Sequence, residues 1–226
     1  MKKYFVLIAM ICGIMFSCKP DPETENSGNN NGGGNAEEEV IEEGKINGYE
    51  YVDLGLPSGF KWASCNVGAS TPYEAGHYYS WGDLKLKIKF SDSNCPTYGV
   101  DMNEDISGNK EYDVCAALWG STWRLPTSAE ARELIDNCTW EWVTDYEIQG
   151  SKVTGPNGNQ IFLPGAGFKV EESLDFYEAE GAYWTSIPDV ESPATHSVFM
   201  YFYQDNWRNL GWFSRYAGLS VRAVSE

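Results

Sequence analysis

Apolar and polar positions alternate in three regimes along this chain. From Tyr4 to Phe16 every residue but Gly13 is apolar, behind the positive Met1-Lys2-Lys3 and ahead of Ser17-Cys18. From Lys19 to Gly44 the only large apolar residues are Val40 and Ile41. From Lys45 to the end, apolar and polar residues interleave. The first run is 13 residues long; as a helix rising about 1.5 Å per residue it would span about 20 Å, short of the roughly 30 Å hydrocarbon core. It reads as a signal peptide and not as a membrane span.

The interleaved region predicts specific elements. Thr127-Ser128-Ala129-Glu130 after Pro126 is a capping box, in which the Thr127 hydroxyl binds the amide of residue 130 and Glu130 reaches back to the cap. The helix should run to about Asn137, with Ala131, Leu134, Ile135 and Cys138 on one face at spacings of three and four. Alternation or β-rich runs predict strands at Tyr49–Leu54, Lys61–Val67, Ser151–Thr154, Gln160–Leu163, Tyr183–Ser186, Ser197–Tyr203 and Leu219–Val224. Gly155-Pro156-Asn157-Gly158 predicts a tight hairpin turn between two of them.

Charge then separates the regimes further. The small Ser17 before Cys18 fits a loose lipobox, with Met15 where Leu is usual, so residues 1–17 should be removed and Cys18 should carry lipid. That removal takes Lys2 and Lys3 with it and moves the formal charge from −17 to about −19, which argues against binding nucleic acid by neutralising phosphates. Residues 18–44, with eight acids and the polar tract Asn26–Asn35, bury too little to offset their ordering entropy and read as a tether. As a flexible coil the tether would reach roughly 30 Å. Its opening, Lys19-Pro20-Asp21-Pro22-Glu23, resembles the acidic signals that send some lipoproteins of Bacteroidetes to the outer face of the outer membrane. The expectation is an outer-membrane lipoprotein exposed at the cell surface, with a periplasm-facing spacer as the alternative and the lipid as its membrane contact.

Residues 45–226 number 182, enough for one domain with a substantial core. Aromatics at 15 % and 23 glycines suggest a loop-rich, mostly β body. Five blocks in order across it carry a resemblance: 51–59, 62–69, 119–127, 153–159 and 218–224, among them Trp119-Gly120-Ser121-Thr122-Trp123-Arg124-Leu125-Pro126-Thr127. Together they resemble the Fibrobacter major paralogous domain family, itself similar to the C-type-lectin-like fold shared with formylglycine-generating (sulfatase-modifying) enzymes. The resemblance implies an α+β, C-type-lectin-like domain: a mostly antiparallel twisted sheet, one or two helices and long loops. Fold does not fix function.

Four cysteines remain after Cys12 and Cys18 are set aside, and an exported chain permits three complete pairings. The preferred one joins Cys65 with Cys138 and Cys95 with Cys115; buried free thiols are the alternative. No short chelating pair of cysteines occurs and His77 and His196 are far apart, so neither a metal nor another cofactor is expected. A calcium-dependent sugar site is not expected either, because the Glu-Pro-Asn, Gln-Pro-Asp and Trp-Asn-Asp triplets of sugar-binding C-type lectins are missing from the domain; Asp205-Asn206-Trp207 only scrambles the last. The acidic Asp101-Met102-Asn103-Glu104-Asp105 cluster offers oxygen ligands that could hold a hard cation, with a solvated loop as the commoner reading. Nothing after Cys138 is a cysteine, so the late reactive cysteines of formylglycine-generating enzymes are missing, and no serine sits in a Gly-x-Ser-x-Gly elbow. The chain reads as a non-enzyme.

Binding by aromatics remains. Tryptophan and tyrosine offer broad rigid faces at low entropic cost, and the chain holds nine tryptophans. Trp62, Trp119, Trp123 and Trp184 sit inside blocks or strands and should be core. The segment from Tyr203 to Trp212 mixes aromatics with amide, acid and guanidinium groups in an expected turn between strands, making Tyr203, Asp205, Asn206, Trp207, Arg208 and Trp212 the candidate ligand rim, with a hairpin whose tryptophans merely cap the sheet as the alternative. The excursions 83–114 and 169–181, the latter centred on Phe176 and Tyr177, are secondary candidates. The expected function is non-catalytic binding of a glycan or a surface protein. The rivals are a structural or accessory subunit of a surface or fimbrial assembly and a degenerate sulfatase-modifying-like enzyme.

Overall fold

A computed structural model describes residues 41, 42 and 44–226. The signal peptide, Cys18 and nearly all of the expected tether lie outside the described residues. Among the described residues the first strand pair falls partly inside the stretch read as tether, since Ile41 and Glu42 oppose Ile46 and Lys45.

The described chain is α+β and dominated by antiparallel sheets. One five-stranded sheet has the order β1 (Ile41–Glu42), β2 (Lys45–Ile46), β3 (Tyr49–Asp53), β4 (Lys61–Ala63) and, closing it, β13 (Val224–Ser225). Two helices follow, α1 (Val114–Trp119) and α2 (Ser128–Asn137). Then come the meander β5 (Thr139–Val143), β6 (Gly150–Thr154), β7 (Gln160–Pro164), the small hairpin β8 (Phe168–Val170), β9 (Ser173–Asp175), and the meander β10 (Glu180–Pro188), β11 (His196–Tyr203), β12 (Arg208–Ser214).

The β10–β12 sheet divides the interior because side chains alternate across it. One face sends Trp184, Ala182, Phe199 and Phe213 into a core with Trp81, Trp119 and Trp123. The opposite face sends Tyr183, Met200, Phe202 and Leu210 into a second core with Leu54, Trp62 and Trp140. Gly181 opposes Phe202 across the sheet, and a Cβ there would fall 2.0 Å from the Phe202 ring, so only glycine lets that ring lie flat. Helix α2 covers the second face. Both halves of its capping box form, and Ala131, Leu134 and Ile135 are buried against the sheet as the spacing required. Arg124 clamps the helix start, meeting Glu130 at 2.6 and 2.9 Å while it lies over the Phe60 ring. The four tryptophans expected in the core are all buried.

Three expectations need correction. Leu219–Val224 is not a ladder strand: Leu219 pairs with Tyr79, Ser220 with Tyr183 and Val224 with both Arg124 and Trp62, so the segment stitches several neighbours together instead of following one. The strand expected over Lys61–Val67 stops at Ala63, whereas the expected Gly155–Gly158 hairpin forms between β6 and β7, with the Asn157 side chain donating to the Asp53 carbonyl to dock the turn on β3. The disulfides Cys65–Cys138 and Cys95–Cys115 do not form, since Cys95, Cys115 and Cys138 are buried free thiols. Cys115 packs in the first core and Cys138, ending α2, in the second, so each serves as a small apolar group. Burial pushes the Cys138 thiol up to about 11 and raises Cys115 as well.

Candidate ligand-binding site

The expected rim is only half a turn, because β12 begins at Arg208. The turn itself is held rigidly. The Tyr203 N–H donates to the Trp207 carbonyl at 2.8 Å and the Asn206 N–H to the Tyr203 carbonyl at 3.0 Å. Asn206 adopts φ +63°, a left-handed conformation that asparagine tolerates better than most residues. Its side-chain oxygen accepts the Trp142 N–H at 3.0 Å, which pins the turn to β5. The Asp205 carboxylate accepts the Trp207 N–H at 2.9 Å. The sequence supplies part of this locally: Asp205 places a side-chain acceptor two residues before the Trp207 amide it reaches, whereas the Asn206 oxygen finds its donor across the fold on β5.

With the turn fixed, Trp207 stands 58 % exposed beside α2. An open cleft of about 460 Å³ lies between them, lined by Arg132, Ile135 and Asp136 of α2 and by Asn206, Trp207, Arg208 and Asn209 of the hairpin. Arg132 Nη2 donates to Asn209 Oδ1 at 2.6 Å and Nη1 lies 3.8 Å from Asp136. Arg208 Nη1 donates to the Asn206 carbonyl at 3.0 Å, its guanidinium lies 5.6 Å over the Trp140 ring, and its Nε is buried without an acceptor.

Of the six rim residues, the structure brings Asn206, Trp207 and Arg208 into the cleft. Asp205 supports the turn from behind. Tyr203 points to the other face of the sheet, where it hydrogen-bonds the buried Glu180; burial pushes that carboxyl up to about 7 against this bond. Trp212 is 64 % exposed but pairs with Val198 well along β12. Five residues at about 3.3 Å each put it roughly 16 Å along the chain from Trp207, so the two do not form one surface. Sequence reasoning missed Arg132, Asp136 and Asn209. A signal existed for the first two: they are spaced i, i+4 on the helix face away from Ala131 and Leu134.

The other candidates sort quickly. His196 Nδ1 lies 2.9 Å from Thr195 Oγ1 and Nε2 lies 3.3 Å from Ser214 Oγ, with Trp212 edge-on at 5.3 Å. A hydroxyl, not a carboxylate, holds the imidazole's far nitrogen, so this Ser–His contact lacks the orienting acid of a triad. The His77 ring rests on Gly68, whose φ is +84°. Phe176 and Tyr177 are exposed, with Phe176 stacked on Phe168. Among the described residues, no three His, Cys, Asp or Glu side chains gather as a metal site. A second cavity, unforeseen from the sequence, holds about 280 Å³ under the stacked rings of Tyr73 and Tyr146, 4.1 Å apart, with Phe162 against both.

No family model matches this chain. No curated protein and no solved structure matches it either. The cleft's own chemistry is therefore what argues function. It offers an exposed indole face, two guanidinium groups, one carboxylate and two amides on a rigid frame, which is a set suited to binding.

Proposed function

We propose that this chain is a cell-envelope lipoprotein, anchored through Cys18 to the outer membrane, that presents a non-catalytic ligand-binding domain on an acidic tether. The domain is C-type-lectin-like, a reading supported by the antiparallel sheets, the Arg124-Leu125-Pro126-Thr127 helix start and the long excursion between β4 and α1. The ligand is a glycan or a glycan-bearing surface protein, and the Trp207 cleft takes it. One observation carries this: Trp207 is held exposed by a turn in which the Tyr203, Asn206 and Trp207 amides are engaged, next to polar side chains that retain bonding capacity. An indole displayed at low conformational freedom costs little further entropy on stacking with a sugar ring.

The test is retention on a glycan array. Trp207→Ala should abolish it with the melting temperature unchanged, whereas Trp212→Ala, too far along β12 to share the ligand, should leave it intact. Equal binding by wild type and Trp207→Ala would sink the reading. The anchor is tested separately: Cys18→Ala should move the protein from the membrane to the soluble fraction.

A subunit of a surface assembly is the second reading, favoured by one feature. Leu86 and Leu118 are exposed, at 60 % and 53 %, and line an apolar groove with Tyr49 and Trp119. That reading predicts concentration-dependent association of the chain that Leu86→Glu abolishes in analytical ultracentrifugation.

A further inference from the structure

The five arginines of the described chain divide by what surrounds their donors. Arg124 is held by Glu130 through two bonds. Arg215 and Arg222 are fully buried, and each donates four hydrogen bonds, all to uncharged oxygens of the chain. The remaining two, Arg132 and Arg208, both line the Trp207 cleft. Arg208 makes one hydrogen bond and no ion pair within 4.0 Å, leaving Nη2 unpartnered, and Arg132 has only its bond to Asn209 and the loose 3.8 Å approach to Asp136.

A chain with 33 acids and 16 basic residues thus leaves two neighbouring guanidinium groups short of carboxylate. Such groups pair best with a planar two-oxygen anion, which guanidinium donors grip in parallel. The rest of the cleft limits what carries that anion. Trp207 offers a ring-sized apolar face. Asn209 Nδ2 is an unused donor and the exposed Asp136 carboxylate an unused acceptor, a combination that suits vicinal hydroxyls. Asp136, with Asp205 behind the turn, would repel a second carboxylate close by, and the strongly acidic chain would repel a polyanion as it approached.

We propose, building on the glycan-binding reading above, that the Trp207 cleft takes a terminal acidic sugar, one carboxylate-bearing pyranose at a chain end, with its ring on Trp207 and its carboxylate between Arg208 and Arg132. A uronic or sialic acid at the end of an oligosaccharide fits; an uncharged sugar leaves both guanidinium groups as they are.

The experiment is an array of oligosaccharides ending in glucuronate, galacturonate or sialate, each printed beside its methyl ester and, for the two uronates, beside the corresponding neutral sugar. The full-length chain is applied at about 0.15 M salt, where distant charge is screened beyond roughly 8 Å. At least one acid should bind about tenfold or more tightly than its own ester. Arg208→Gln and Arg132→Gln should each bring acid and ester to the same level, and Arg208→Lys should lose most of the preference because ammonium cannot grip both oxygens. Trp207→Ala should lose acid and ester alike. Each variant is checked by its melting curve. If neutral sugars and esters bind through Trp207 as well as the acids do, the glycan reading stands and the acidic-sugar assignment falls. If nothing on the array binds, both fall. A preference that survives both glutamine variants overturns the assignment alone.

Discussion

Arg222 and Arg208 carry the same side chain in two settings, and the difference shows how a fold uses charge. Arg222 sits where β4, the loop after it and β7 converge, donating to the Ala63, Ser64 and Phe162 carbonyls and to Asn66 Oδ1 at 2.7–2.9 Å. Burial holds its guanidinium down to about 10, so it stays cationic at neutral pH, neutralised by no acid but solvated by carbonyl dipoles. Arg208 has one carbonyl, an indole face and the open cleft. The first arginine replaces water for a cluster of backbone acceptors and belongs to the architecture. The second retains donors that only water or a ligand can use. Counting acceptors, not charges, separates the two roles.

The largest effect that would break this contrast is on stability. Arg222→Met should cost about 3–5 kcal/mol, since it orphans four buried acceptors at once, whereas Arg208→Met should cost no more than about 1 kcal/mol. Urea titrations of the two variants decide it, and equal losses would erase the distinction.

Glu180 extends the contrast to acids. Asp113, equally buried, accepts four backbone N–H groups, from Gly108, Cys115, Ala116 and Leu125, although burial still raises its carboxyl above the usual range. Glu180 is buried with the Tyr203 hydroxyl as its side-chain partner, and its carboxyl is pushed from 4.5 to about 7. Between these values the native state keeps a proton that the unfolded chain has released, so stability should fall as pH rises through this window and level off above about 7. The loss should total about 3 kcal/mol, each pKa unit being worth about 1.4. Glu180→Gln should flatten the profile and be the more stable form at pH 8; an unchanged slope between pH 4.5 and 7 would show that Glu180 is not its source.

Smaller effects sharpen the picture of the cleft. Asn206→Ala should cost about 1–2 kcal/mol, combining a left-handed backbone without asparagine's local bonding and loss of the anchor to Trp142. The same change should weaken ligand retention although Asn206 is not the stacking group. Trp207→Ala should alter stability by less than about 0.5 kcal/mol, because the side chain is exposed and supports nothing. A larger loss on thermal melting would mean that the indole is structural.

Local physics made some of this legible. The capping box at Thr127, the buried face of α2 and the burial of Trp62, Trp119, Trp123 and Trp184 follow from patterns within a few residues. So did the turn that borders the candidate cleft, since Asp205-Asn206-Trp207-Arg208 is turn chemistry with an aromatic in it. Its extent was not legible: Trp212 looks adjacent in sequence, but strand geometry carries it away along β12. The arginine and acid that complete the cleft come from α2, about seventy residues earlier, and nothing in the spacing of Arg132 and Asp136 says which loop they will face. The cysteines teach the same lesson. Their even number suggested cross-links, yet Cys95, Cys115 and Cys138 are each buried as free thiols, placed by packing and not by a partner sulfur.

By itself, then, the sequence determined short-range matters: which segment is a helix and where it starts, which aromatic residues seek the interior, which stretch turns. These depend on torsional preference, capping and the period of apolar residues, all of which act over one or two turns of chain. Tertiary structure alone decided which arginines would be saturated by carbonyls and which would be left with unused donors in a cleft. That outcome depends on acceptors brought in from positions 60 to 160 residues away, and so is set only when β4, β7, α2 and the β11–β12 hairpin have packed.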